Sequence, residues 1–144
     1  MAEFDNLKLD NQLCFPLYAT ARSVVNLYTP FLKPLGITYT QYLVFLVLWE
    51  HDGISVGELC SKLYLDSGTI TPLLKKMEEK GYIERKRSHD DERVVSVFLT
   101  AAGLAMRDQA KDIPAGVGQC IHLEPDEAVC LYSLLYKILG QKKQ

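Results

Sequence analysis

Residues 55–100 read SVGELCSKLYLDSGTITPLLKKMEEKGYIERKRSHDDERVVSVFLT. Partway through this stretch the spacing of apolar residues changes from helical to extended. Val56, Leu59, Cys60 and Leu63 recur at i, i+3, i+4 and i+7, and Ile70, Leu73, Leu74 and Met77 repeat the pattern, so two short amphipathic helices are expected. Asp66, Ser67 and Thr69 all offer N-cap chemistry at the start of the later helix. Pro72 is easiest to accommodate if that helix begins late, near Thr69. Gly81 is a natural stop after it. YIERKR and VVSVFLT then read as two strands around the polar turn SHDDE. Helix, turn, helix and hairpin in this order make a winged helix-turn-helix.

The flanks are helical. A first helix is expected from about Asp10, as its N-cap, to Leu32, with Pro16 kinking or loosening its first turns. TYTQYLVFLVLWEH is apolar on nearly every face, which marks a central, buried helix. Thr100 caps AAGLAMRDQAKDI, PAGVGQCIHLEP reads as a loop, and DEAVCLYSLLYKIL is a last helix. The apolar arc of that last helix is wider than one core face needs, which points to burial against a partner subunit. The fold expected is mainly α with a small β-hairpin wing. The winged helix-turn-helix spans about 54–100, and dimerisation helices about 10–32 and 101–141, in one domain over 1–144.

At 144 residues and 48% apolar composition the chain carries one sizeable core. No apolar run approaches the roughly 18 residues that span a bilayer. MAEFDNLKLD lacks the basic and apolar regions of a signal peptide, so a cytoplasmic protein without membrane partners is expected. The four cysteines, Cys14, Cys60, Cys120 and Cys130, form no CxxC, and no second ligand pair stands at zinc spacing beside Cys120 and His122. Neither a metal nor a cofactor is expected.

The net charge of −2 does not announce a nucleic-acid partner, but its distribution does. Residues 75–93 hold seven of the sixteen Lys and Arg, interleaved with six acids, so any basic surface comes from geometry that segregates the signs. With Ile70, Leu73, Leu74 and Met77 as the back of the later helix, Gly68, Pro72, Lys75 and Glu79 lie opposite, flanked by Thr71 and Lys76. Ser67, Thr69 and Thr71 are small enough to approach base edges and phosphates, and Lys75 and Lys76 reach the backbone. Strand alternation puts Arg85 and Arg87 on one face of the wing and Lys86 on the other. Arg93 at the wing suits the narrow minor groove of A·T-rich DNA, with Asp91 placed to pair with its guanidinium. The other reading of 75–93 is a merely solvated charged face.

YLDSGTITPLLKKMEEKGYIERKRSHDDERVVSVFLTAAG resembles the MarR family of transcriptional regulators. Within it, LDNQLCFPLYATAR, LYTPFLKPLGITYTQYLVFLVLWEHDG and DIP resemble the organic hydroperoxide resistance regulators, over nearly the whole chain from about Leu7 to Leu139. The resemblance implies a homodimer that represses a peroxidase gene from a palindromic operator and detaches when its cysteine is oxidised by an organic hydroperoxide. It implies Cys14 as the sensing thiol and Tyr28 and Tyr39 as phenols that bind the thiolate. It also puts Ser67, Thr69 and Thr71 on the DNA-contacting helix and makes Asp91 and Arg93 the wing pair. Regulators of this kind come in one-cysteine and two-cysteine forms, and Cys120 stands in about the place of the second, resolving cysteine. Cys130 or a small cellular thiol are the other candidates.

A lone helical cysteine is commonly inert core. Cys14 differs in lying near a helix N-terminus, where the dipole favours a thiolate, with Tyr18 one turn away. Tyr28 is fourteen residues further on, about 21 Å along one straight helix, so it reaches only a cysteine from an antiparallel neighbour. If these tyrosines bind the thiolate, the site is shared between subunits. Phe15, Leu17, Tyr18, Phe45 and Trp49 are the candidates for an apolar wall suited to lipid or aryl hydroperoxides. Three other classes compete: a repressor responding to a bound phenolic ligand without cysteine chemistry, a thiol peroxidase, and a structural helical dimer. No peroxidase motif appears, so an enzyme is not expected.

Overall fold

The computed structural model describes residues 3–140. The chain divides into two compact units, with the boundary between Ile113 and Pro114. The first holds helices α1 (Cys14–Leu32), α2 (Tyr39–Glu50), α3 (Val56–Leu63), α4 (Ser67–Glu79) and α5 (Ala101–Ala110), with strands β1 (Ile83–Arg87) and β2 (Val95–Leu99). A short α6 (Ile113–Gly118) begins at the boundary, and the second unit carries α7 (Pro125–Leu139). No single helix among the described residues is long and apolar enough to cross a membrane.

α2 is the axis of the first unit. It packs against α1, α3, α4, α5 and β2, and Val44, Phe45 and Leu48 are fully buried. Thr38 starts it with a capping box: its Oγ1 accepts from the Gln41 backbone N–H at 3.3 Å, and Gln41 Oε1 accepts from the Thr38 N–H at 3.0 Å. The bond to Oε1 gives the buried Gln41 side chain a partner for its carbonyl oxygen. At the far end Trp49 Nε1 donates to the Gly103 carbonyl at 3.0 Å, tying α2 to α5. Phe45 stacks on Trp49 at 5.2 Å and meets Tyr82 edge-on at 5.4 Å. Phe45 is therefore a fully buried core aromatic with no surface to offer a peroxide, whereas Trp49 is half-buried.

The first helix starts later than the sequence suggests. Asp10 lies in a 3₁₀ turn, Leu9–Asn11, and Leu13 is the N-cap of α1 without a side-chain hydrogen bond. Proline explains the shift. A helix capped at Asp10 would need an N–H from Pro16 for the Gln12 carbonyl, whereas starting at Cys14 puts Pro16 in the first turn, where no donor is required. Pro16 therefore positions the helix start instead of kinking it. The segment before it is held by Asn11 Nδ2 donating to the Asp5 carbonyl at 2.6 Å and Gln12 Nε2 donating to the Asn6 carbonyl at 2.7 Å.

The recognition-type helix starts earlier than expected, at Ser67, because Asp66 wins the cap: its Oδ1 accepts from the Thr69 N–H at 2.7 Å. Pro72 then falls inside α4 and leaves the Gly68 carbonyl without its intrahelical donor. The cap therefore carries much of this helix start. Asp66→Ala is expected to cost about 1 kcal/mol and to lower Tm by roughly 3 °C, read by thermal unfolding. The turn before α4 is tight, with Tyr64 in the left-handed region at φ 55° and the Leu65 N–H donating to the Cys60 carbonyl at 3.1 Å.

β1 and β2 pair antiparallel, with Ile83 opposite Leu99 and Arg87 opposite Val95. Ile83 and Val97 are fully buried and point the hairpin's inner face at the helices. At its base, Thr100 Oγ1 accepts from the Gly103 N–H at 3.2 Å and its hydroxyl donates to the Gly81 carbonyl at 2.6 Å. Gly81 ends α4 at φ +81°, a left-handed conformation that favours glycine.

In the second unit, α7 opens with a capping box between Glu124 and Glu127 and buries none of its residues, Val129 and Ile138 being each 67% exposed. Cys130, on this helix, is exposed in the single chain. PAGVGQCIHLEP, expected as a loop, contributes its first residues to α6.

Candidate nucleic-acid interface and thiol site

On α4, Ile70, Leu74 and Met77 are fully buried, and the helix therefore presents Ser67, Thr69, Thr71, Lys75 and Lys76 outward, all exposed. The wing stands beside it. Asp91 and Arg93 form a two-pronged pair, with Arg93 Nε donating to Oδ1 at 3.1 Å and Nη2 to Oδ2 at 3.2 Å. Hydrogen bonds from that guanidinium hold the Asp91 carboxyl below its ordinary range. Arg93 itself remains largely in solvent, aimed rather than consumed. Arg87 Nη1 donates to the Glu92 carbonyl at 2.9 Å, which folds the turn.

Arg85 is placed differently from Arg87. Its Nη2 donates to Glu78 Oε1 at 3.1 Å, and its backbone N–H donates to Glu78 Oε2 at 2.9 Å. These bonds, the guanidinium first, depress the Glu78 carboxyl. Arg85 therefore spends much of its charge fastening α4 to β1, and its more direct effect is on the angle between helix and wing. Between α3, α4 and the hairpin lies a cleft of about 480 Å³, whose walls include Ser67, Thr71, Arg85, Arg87 and Arg93. Three arginines thus line one cleft, two of them already paired, Arg85 with Glu78 and Arg93 with Asp91. Cys60 also lines this cleft and is half-buried, so it is not the pure core residue its apolar stripe suggests.

Cys14 is the first residue of α1 and is exposed. No side chain caps the helix before it, so unspent N–H dipoles converge near the thiol. Tyr18 is exposed one turn on, with the Arg22 guanidinium 5.6 Å from its ring centre. Tyr28, near the other end of α1, packs on Tyr39 of α2 at 4.7 Å between ring centres. Tyr42 completes a triangle, 5.6 Å from Tyr28 and 6.4 Å from Tyr39. Burial raises the phenols of all three, and neighbouring Tyr28 adds to the effect at Tyr39 and Tyr42. They therefore remain protonated at neutral pH, each keeping an O–H that can donate. Within one protomer the structure brings Tyr28 and Tyr39 together, but Cys14 stays at the opposite end of the same unbroken helix. Sequence reasoning missed Tyr42, although its i+3 spacing from Tyr39 on a helix was the signal.

Cys120 follows α6 and is exposed, its Sγ 3.6 Å from the Gly116 carbonyl. Among the described residues no group of three or more His, Cys, Asp or Glu could hold a metal ion.

Residues 37–95 match the MarR family. The organic hydroperoxide resistance transcriptional regulator of Bacillus subtilis is 47% identical over 95% of this chain and 93% of its own length. The HTH-type transcriptional regulator SarZ of Staphylococcus saprophyticus is 38% identical over the whole chain and 98% of the relative. Among solved structures, reduced AbfR bound to DNA is similar at a TM-score of 0.76 and 33% identity, covering 94% of both chains. The element order, the wing and the relatives agree: the chain belongs to the MarR family of transcriptional regulators, in the branch of the organic hydroperoxide resistance regulators, and is not an enzyme.

Proposed function

We propose that this regulator is a homodimeric, DNA-binding repressor whose affinity for a palindromic A·T-rich operator is switched off by oxidation of Cys14 with an organic hydroperoxide. The observation that carries this reading is the pairing of an exposed thiol at an uncapped helix start with a cluster of protonated phenols at the other end of the same helix. Antiparallel association of two such helices sets each thiol against the other subunit's Tyr28 and Tyr39. Two or three phenol donors then hold the sulfur as a thiolate. The exposed apolar residues Leu13, Phe15 and Leu17 at the start of α1 supply surface for that association.

The chemistry balances in two steps. The Cys14 thiolate attacks the distal oxygen of the hydroperoxide; the S–O bond forms, the O–O bond breaks, and the departing alkoxide takes a proton to become an alcohol. The sulfenic acid then condenses with a thiol, water leaves, and a disulfide forms. Exposed Cys120 of the other subunit is the proposed thiol. Drawing the two sulfurs together reorients the dimerisation helices, and two reading heads set about 34 Å apart lose their shared register on the duplex. Ser67, Thr69 and Thr71 read or position on the major groove, Lys75 and Lys76 bind phosphates, and the Asp91-braced Arg93 enters the minor groove.

The test is a gel shift on a palindromic A·T-rich duplex. Reduced protein is expected to bind with a steep salt dependence. Cumene hydroperoxide is expected to release it at least about tenfold faster than hydrogen peroxide, because the site is apolar. Equal rates for the two oxidants contradict an apolar peroxide site, and no release by either contradicts redox sensing. Tyr28→Phe and Tyr39→Phe are each expected to slow Cys14 oxidation roughly tenfold to a hundredfold, the worth of one charge-assisted hydrogen bond. DNA affinity of the reduced protein should stay unchanged. Stopped-flow sulfenate trapping measures the first and fluorescence anisotropy the second.

A further inference from the structure

A second cleft, of about 400 Å³, opens between the C-terminal half of α1 and the start of α2. Val25, Leu32 and Ile37 give it an apolar floor, and Tyr39 stands in its wall. The cleft therefore shares a phenol with the cluster described above. Its size falls within the usual range for small-molecule sites. Among the described residues one charged group lines it, Lys33, and no carboxylate does. Lys33 lies on the 3₁₀ turn Lys33–Leu35 and forms no ion pair among the described residues. The cleft thus combines an apolar floor, a cation with no ion pair among the described residues, and a tyrosine.

We propose that Lys33 anchors the carboxylate of a long-chain carboxylic acid hydroperoxide, whose apolar chain lies along Val25, Leu32 and Ile37 with the peroxide carried to the Tyr39 end. This rests on the redox reading above and adds a selectivity to it: an ionised fatty acid hydroperoxide is the favoured oxidant over its neutral ester or an uncharged aryl hydroperoxide. The carboxylate takes no part in the reaction. Cys14 of the other subunit is oxidised to sulfenic acid by the distal peroxide oxygen, the O–O bond breaks, and the hydroxy fatty acid leaves with its carboxylate still paired to Lys33. Binding energy from the far end of the molecule is used to hold the reacting oxygen in place.

The experiment compares linoleic acid hydroperoxide with its methyl ester, two oxidants of the same chain and the same peroxide. Rates of Cys14 sulfenate formation are measured by stopped-flow trapping on the intact dimer. The wild-type protein is expected to react on the order of tenfold faster with the acid than with the ester, the worth of a partly exposed charge-assisted hydrogen bond. Lys33→Met is expected to bring that ratio to about one while leaving the ester rate unchanged, which also shows that the variant is folded and its thiol competent. Lys33→Arg should keep the preference, and Lys33→Glu should reverse it. A ratio of one in the wild type, or a preference that survives Lys33→Met, overturns the role of Lys33 while leaving the redox reading standing. Failure of both compounds to oxidise Cys14 overturns the two together.

Discussion

Replacing Cys14 with serine is expected to leave the affinity of the protein for its operator unchanged and to remove its response to organic hydroperoxide. The dose needed for release should rise by at least about a hundredfold, because a serine hydroxyl is not ionised at neutral pH and cannot take the peroxide oxygen. Affinity is preserved because Cys14 lies in the first turn of α1, while the α4 helix and the wing carry the proposed DNA contacts. The side chain is exposed, so losing its sulfur opens no cavity. Titrating a fluorescent operator with each protein, before and after cumene hydroperoxide, separates the alternatives. Release that is unchanged in the serine variant would mean that a bound ligand, rather than sulfur chemistry, drives induction.

Gly103→Ala is expected to have the largest effect on stability. A Cβ at this position would fall on the Tyr82 backbone carbonyl oxygen, far inside contact distance, and would also meet Leu99 Cδ2 at 3.0 Å. The carbonyl has no room to retreat, because it already accepts the Thr100 N–H at 3.0 Å. Gly103 also supplies the carbonyl that Trp49 Nε1 uses and the N–H that Thr100 caps. Separating α5 from the base of the hairpin therefore strains three elements at once. Overpacking of this kind costs at least about 3 kcal/mol, equivalent to a fall in Tm of roughly 10 °C. Differential scanning calorimetry reads it, and a fall of under about 2 °C would show that the α5–hairpin corner yields more easily than its hydrogen bonds suggest.

The fold was legible where period and punctuation agreed. α3, α4 and the two strands follow from apolar spacing and from Gly81, and α2 follows from its unbroken apolar run. The helix starts were less legible, and prolines are the reason. Pro16 forces α1 to begin at Cys14, and the Asp66 cap overrides Pro72 at the start of α4. A cap is a local hydrogen bond whose strength depends on geometry that residue types alone do not give. The candidate site was legible as a set of side chains but not as a set of partners. Arg85 reads as one more wing cation, yet Glu78, seven residues back, engages it. Phe45 reads as part of an apolar wall, yet it is fully buried against Trp49 and Tyr82. Tyr42 was overlooked because a tyrosine in an apolar helix looks like packing, and here it is 2% exposed and still part of the phenol cluster.

The proposed site depends on each sulfur being held by phenols of the other chain, and a mixed dimer tests that directly. One protomer carries Cys14→Ser with its tyrosines intact; its partner keeps Cys14 but carries Tyr28→Phe and Tyr39→Phe. Two affinity tags isolate the mixed species, and mass spectrometry follows oxidation of the single remaining Cys14. Oxidation at the wild-type rate is the expected result, since that sulfur faces the intact phenols across the dimer. Oxidation as slow as in the dimer lacking all four phenols would place the phenols and the thiol in the same chain, and would contradict a shared site.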